Sequence, residues 1–146
     1  PEKARKITDD YWTTFPRIKP WLYGTADECR EAGFVTYWSG RRWVEDQEDK
    51  YFKAANALIQ GGCADLLSIA ALRVATYLNE MNLGKIVLLV HDEIIMEVRK
   101  KDAITVAKTV CKIMEVPDLL NIPWFTDAKI GIAYGKLEKV DLKNEH

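Results

Sequence analysis

Residues 86–98, IVLLVHDEIIMEV, place two carboxylates, Asp92 and Glu93, between two apolar runs. Few folds accommodate that pattern. Residues 85–91, with their apolar run from Ile86 to Val90, read as a central strand covered on both faces. Residues 94–99 then form its antiparallel partner. The acidic pair falls at the tight turn between them, at the open end of a sheet. Neighbours in a regular strand point to opposite faces, but at a turn both can reach that open end. Carboxylates there suit Mg²⁺, a hard cation that takes one or two protein oxygens and completes its shell with phosphate and water. Two such ions can hold the attacking and leaving oxygens of a phosphoryl transfer. A solvated hairpin tip fits the same residues, because Asp is an ordinary turn residue.

The rest of the chain alternates helical and extended patterns. Residues 2–15 read as a helix with Ile7, Tyr11 and Phe15 on one stripe, ended by Pro16. A second helix is expected from Lys19 or Pro20 to Ala32, stopped by Gly33. GFVTYWSGRRWVE reads as a hairpin with its turn at Ser39-Gly40. EDQEDK, residues 45–50, is a charged connector and the expected mobile loop. A long helix follows over 51–81, with Leu66, Ile69, Ala70, Val74 and Leu78 on one face. Its Gly61-Gly62 pair costs helix propensity and permits close approach by another group. Another helix is expected from Asp102, as N-cap, to Val116, closed by Pro117. Its buried stripe would be Ile104, Ala107, Val110, Cys111 and Met114. Residues 123–135 supply a last strand with Ala128, Ile130 and Ile132 alternating, and the polar tail from Lys136 is expected to be loose. The whole is a mixed helix-and-sheet layered domain.

Composition narrows the function classes. At 146 residues the chain fits one ordinary domain. Its formal net charge of -1 argues against a free-standing nucleic-acid binder. Three cysteines without a CxxC pair indicate neither a zinc site nor a disulfide framework, and a reducing, cytoplasmic setting is the default. The longest apolar runs fall short of the roughly 20 residues of a membrane span, and no signal peptide opens the chain. The first residue is Pro1, as in a processed or excised chain. The tryptophans, Trp12, Trp21, Trp38, Trp43 and Trp124, are expected in core or interface.

LLVHDEIIMEV resembles motif C of the family A DNA polymerases, the group of bacterial DNA polymerase I and several phage replicases. That motif is an apolar strand, His-Asp-Glu, and a second strand ending in Glu-Val. KAANALIQGGCADLL, residues 53–67, is similar to the long palm helix that precedes it: a basic residue, Asn, Gln-Gly four residues on, then Ala-Asp. YWTTFPRIKPW and GFVTYWSGRR are similar to the segment that follows the fingers helix. Order and approximate spacing hold from Ala4 to the final strand.

The resemblance implies an α+β fold, a palm portion whose small antiparallel sheet carries the motif C hairpin packed against long helices. Residues 1–50 would be the helical segment and hairpin after the fingers, and residues 51–146 the palm helix, motif C hairpin and terminal strand. It implies DNA-directed DNA polymerase activity, template-directed nucleotidyl transfer in replication or repair, with primer-template DNA and dNTP as partners and Mg²⁺ as cofactor. Asp92 would be a catalytic metal ligand and Glu93 a supporting carboxylate of the same site. His91 would lie by the primer terminus. Asn56 and Gln60 would face the minor groove, where acceptors are nearly sequence-independent. Lys53, Arg41 and Arg42 would lie near DNA phosphate. Each position also has a plainer reading. Asn56 and Gln60, one turn apart, fit a solvated helix face, while Lys53, Arg41 and Arg42 fit surface charge and His91 fits a turn.

The family's other metal-binding strand, motif A, and its fingers helix have no counterpart in these residues, and Phe52 stands at a frequent arginine position. Two metal ions need both carboxylate strands. The expectation is therefore a part of a polymerase, inactive alone, completed by an upstream segment or partner chain. Trp12, Trp21 and Tyr23 are its candidate interface. Two alternatives stay open: a non-catalytic relic that binds DNA or a replication partner, and an interaction domain whose His-Asp-Glu turn is incidental.

Overall fold

The computed structural model describes residues 2–45, 47–116, 119 and 122–141. The chain divides into two compact units, Pro1–Cys63 and Ala64–His146, with the boundary inside one long helix. Helices and two-stranded antiparallel sheets make up both, so the chain is α+β.

In the first unit, α1 (Glu2–Thr14) ends where Pro16 approaches, and α2 (Ile18–Ala32) ends at Gly33. Gly33 adopts φ 77°, the left-handed region open to glycine, and its N–H caps the Cys29 carbonyl at 2.8 Å. The Ile7–Tyr11–Phe15 stripe finds no core here: no residue of α1 is buried, and Tyr11 instead packs on Trp12 and Phe15 at 5.0 and 5.3 Å between ring centroids. Strands β1 (Phe34–Thr36) and β2 (Arg42–Val44) form the expected hairpin, with the Gly40 N–H bonded to the Tyr37 carbonyl at 2.9 Å. Of the expected mobile connector, Asp46 lies outside the described residues, and Glu48–Lys53 is a 3₁₀ turn. Cys29, Val35 and Ala54 are the buried centre of this unit, with Trp43, Tyr51 and Leu58 packed on them.

The long helix α3 (Ala54–Glu80) continues from that turn. By length and composition, Lys50–Glu80 could cross a membrane, contrary to the reading from apolar runs. Gln60, Asp65 and Arg73 interrupt any run, but an average over the helix does not stop at them. Of the face predicted by spacing, Leu66, Ala70, Val74 and Leu78 are buried and Ile69 is half-buried, while 28% of the helix's apolar window is buried in all.

In the second unit, Val74 and Leu78 of α3 join Val106 and Val110 of α4 (Ala103–Met114) in one cluster. Burying each such side chain contributes about 1.5–3 kcal/mol. The buried stripe of α4 is Val106, Ala107, Val110 and Cys111, not one containing Ile104, which is 44% exposed. At 3.6 residues per turn Ile104 stands about 90° from the stripe's centre. Asp102 does not cap α4: its carboxylate accepts from Arg99 Nε at 2.7 Å. Pro117, the expected stop, lies outside the described residues.

Strands β3 (Gly84–Val90) and β4 (Glu93–Val98) form the antiparallel hairpin, with a bulge between Ile86 and Leu88. Ile86, Ile94, Met96 and Val98 pack on the α3–α4 cluster. The expectation of a strand covered on both faces is corrected. Among the described residues β3 pairs only with β4, and Val87, Leu88 and Leu89 are 44%, 52% and 48% exposed. A continuous apolar run predicts a strand but cannot name its cover, and none stands among the described residues. The tail is also corrected: β5 (Ala128–Gly131) pairs with β6 (Leu137–Val140), so the polar residues after Lys136 extend a sheet. Ile132 lies beyond the end of β5 and is 91% exposed. Residues 142–146 lie outside the described residues.

Candidate functional site

The second unit holds the acidic tip. Val90 pairs with Glu93 across the hairpin, so His91 and Asp92 are its two-residue loop. His91 has φ 53° and Asp92 has no positive φ, the sign pattern of a type II′ turn. A residue other than glycine in the left-handed region costs about 1–2 kcal/mol. Such strain persists where surrounding structure determines the geometry, and functional sites are common among those places. Here the paired strands and the packed face of the hairpin impose it.

His91, Asp92 and Glu93 are all exposed, but the two carboxylates differ in company. Glu93 Oε2 accepts from the Tyr134 hydroxyl at 3.5 Å, and Glu93 Oε1 faces Lys129 Nζ at 4.0 Å. Among the described residues, Asp92 has no ion pair and no side-chain hydrogen bond. No three His, Cys, Asp or Glu side chains converge among them either. The tip therefore offers hard oxygen donors of the kind a divalent cation takes, but only part of a coordination shell. At the other end of the hairpin, an open hollow of about 410 Å³ lies between residues 82–85 and 97–99. Its charges are already matched, Lys85 with Glu97 at 3.5 Å and Arg99 with Asp102 at 2.7 Å.

The first unit holds the polar helix face. Lys53, Asn56 and Gln60 line an open groove of about 420 Å³, together with Ala57, Gly61, Tyr37 and Trp43. Spacings of three and four residues bring the polar side chains onto one helix face, and all three are exposed. Arg41 and Arg42 belong to the hairpin beside it. The Arg41 guanidinium stacks over the Tyr37 ring at 4.2 Å and donates to the Gly61 carbonyl at 3.4 Å, while Arg42 stacks over Phe34 at 4.2 Å. Both arginines are thus oriented by aromatic rings.

The absence of side chains on Gly61 and Gly62 lets two aromatic residues pack onto the helix beside the groove. Tyr37 packs over Gly61, and Trp38 lies over Gly62 with its Nε1–H donated to the Gly62 carbonyl at 3.1 Å. The glycine pair signalled a close approach in the sequence; its partners, two aromatic residues of a hairpin turn, carried no signal there. Nor did anything in the sequence point to Tyr134 and Lys129 beside Glu93, across 41 residues in the first case. Of the expected interface residues, Trp21 and Tyr23 are 42% and 63% exposed, and Trp12 is half-buried.

A family model for DNA polymerase family A matches residues 1–136. The chain belongs to the family A DNA polymerases. It is 32% identical over 139 residues to the thermostable DNA polymerase I of Thermus aquaticus, covering 89% of this chain and 17% of that protein. It is 32% identical over 143 residues to the DNA polymerase I of Streptococcus pneumoniae, covering 91% of this chain and 16% of that one. The chain thus spans about one sixth of the length of these relatives. Among solved structures it is similar to the polymerase domain of Pol1 from M. smegmatis in complex with DNA primer-template and dNTP. That likeness has a TM-score of 0.74 and 26% sequence identity, over 84% of this chain and 23% of the other.

Proposed function

We propose that this family A chain supplies the motif C half of a DNA polymerase active site, together with a minor-groove contact surface on its palm helix. One observation carries the reading. Asp92 stands exposed at a strained hairpin tip without a partner among the described residues, while the adjacent Glu93 is engaged. In the family, the resemblance makes that aspartate a metal ligand.

In the proposed reaction the primer 3′ oxygen bonds to the α-phosphorus of a dNTP. The bond from that phosphorus to the bridging oxygen breaks, pyrophosphate leaves with its electron pair, and the 3′-hydroxyl proton passes to water. The carboxylates at the tip fit Mg²⁺ by donor type, Asp92 as direct ligand and Glu93 as support. When bound, Mg²⁺ would neutralise charge on the phosphates and favour the deprotonated 3′ oxygen. The second carboxylate strand and the fingers helix would come from outside these 146 residues, on an upstream segment or a partner chain. His91 would lie against the primer end.

Asn56 and Gln60 would donate to the minor-groove acceptors common to all base pairs, which suits an enzyme that must read shape and not sequence. Lys53, Arg41 and Arg42 would meet backbone phosphate and hold register. The overall charge of -1 accords with a chain that contributes one wall of a basic cleft and not the whole of it.

The test is primer extension by the assembled polymerase, with Asp92→Ala against wild type. Loss of Mg²⁺-dependent extension with primer-template binding retained is the expected result. Full extension by Asp92→Ala would sink the assignment. Duplex binding that persists in chelator, with no assembly yielding synthesis, would mark the chain as a non-catalytic DNA-binding relic.

A further inference from the structure

We infer that Tyr134 and Lys129 are positioning residues that fix the Glu93 carboxylate beside the catalytic tip. The inference rests on the active-site reading above. Tyr134, in the 3₁₀ turn before β6, places its hydroxyl 3.5 Å from Oε2, and Lys129, on β5, places its ammonium 4.0 Å from Oε1. An exposed pair at such a distance does little alone. Two donors converging on opposite oxygens of one carboxylate restrict its rotamer and its orientation, as neither could singly.

The donors stand on a braced support. β5 pairs with β6 in register from Ala128↔Val140 to Gly131↔Leu137. Lys139 of β6 bonds to Asp127 just before β5. The Thr126 hydroxyl donates to the Cys111 carbonyl at 3.0 Å, which ties the approach to β5 onto α4. The C-terminal hairpin thereby holds one carboxylate of the acidic pair and leaves the other, Asp92, available. Lys129 also offsets the Glu93 charge, so the two adjacent carboxylates repel each other less. Glu93 then supports the site without competing with Asp92 as first ligand.

The experiment is single-turnover primer extension by the assembled polymerase carrying Tyr134→Phe and Lys129→Met together. The expected result is a rate loss of about threefold to tenfold, the size of a typical coupling between touching residues. Half-saturating Mg²⁺ should rise, while dNTP KM and primer-template affinity stay within about twofold. Lys129→Arg should recover the lysine's share. On a Glu93→Gln background the same pair should cause no further loss, a result that a merely structural role would not produce. Unchanged rate and Mg²⁺ dependence, or an equal loss on both backgrounds, would overturn the positioning role. Asp92→Asn separates the two failures. If it is inactive while the Tyr134/Lys129 variant matches wild type, only the positioning role falls. If it extends primers normally, the active-site reading falls and takes this inference with it.

Discussion

The Tyr37 ring fills the space a side chain on Gly61 would need: a Cβ there would stand 2.3 Å from Tyr37 Cε1. Tyr37 is 5% exposed, and Arg41 covers its ring, so it has little room to retreat. Alanine gains about 1 kcal/mol in helix propensity over glycine, whereas overpacking a fitted contact costs about 1–3 kcal/mol. Gly61→Ala should therefore destabilise the chain by about 1 kcal/mol, read from urea unfolding. Gly61→Ala with Tyr37→Ala should cost less than the sum of the two single changes. A Gly61→Ala protein more stable than wild type would show that the ring moves freely.

Gln60→Ala and Asn56→Ala should each weaken primer-template binding about threefold to tenfold, the worth of one hydrogen bond. The loss should be equal on A·T-rich and G·C-rich duplexes, because minor-groove acceptors recur at every base pair. Lys53→Ala should instead flatten the salt dependence of binding by about one unit of slope. Fluorescence anisotropy over a salt series reads both. A base-dependent loss at Gln60 would contradict the proposed shape-reading role.

The Lys139 ammonium donates to the Asp127 carboxylate and, with its charge, holds that carboxyl below its ordinary value; desolvation opposes this, and Lys129 adds a lesser lowering. A carboxyl lowered in the folded state stabilises fully above its unfolded value, near pH 4, and that share is lost as pH falls through the folded value. Asp127→Asn should thus lower the urea midpoint at pH 7 and converge with wild type as pH falls through the lowered folded value. Salt should shrink the neutral-pH difference, since the pair is exposed. A gap that widens on acidification would refute the pairing.

Cys63 is exposed, whereas Cys29 and Cys111 are buried. Burial, then Glu45 and Glu28, push the Cys29 thiol up. Burial also pushes Cys111 up against an opposing hydrogen bond from Thr126, with Glu115 and Asp127 adding to the rise. Only the thiolate reacts readily. Iodoacetamide at neutral pH should therefore label Cys63 on the order of tenfold or more faster than the other two, as peptide mass spectrometry would show. Equal labelling would mean that the buried sites open freely.

The local architecture was legible where the signal is local. Pro16 and Gly33 mark helix ends, the Leu66–Ala70–Val74–Leu78 spacing marks a buried face, and the His-Asp-Glu turn between apolar runs marks the hairpin. Legibility failed where a pattern depends on its surroundings. Ile104 and Val106 both fit an apolar stripe, and only packing chose Val106. LEKV, residues 137–140, reads as tail by composition and becomes strand because β5 is there to pair with it. The apolar run of β3 promised cover on both faces, but a run of side chains does not encode what lies against it.

The sequence by itself determined that two carboxylates stand at the tip of a hairpin and that Asn56 and Gln60 lie one turn apart on a helix. Both follow from turn and helix periodicity over a few residues. Only the tertiary structure decided that Tyr134 and Lys129 approach Glu93 while Asp92 is left without a partner among the described residues, and that Tyr37 packs over Gly61. Those outcomes depend on residues far apart in the chain, brought together when the hydrophobic clusters pack, and no local rule of spacing reaches that far.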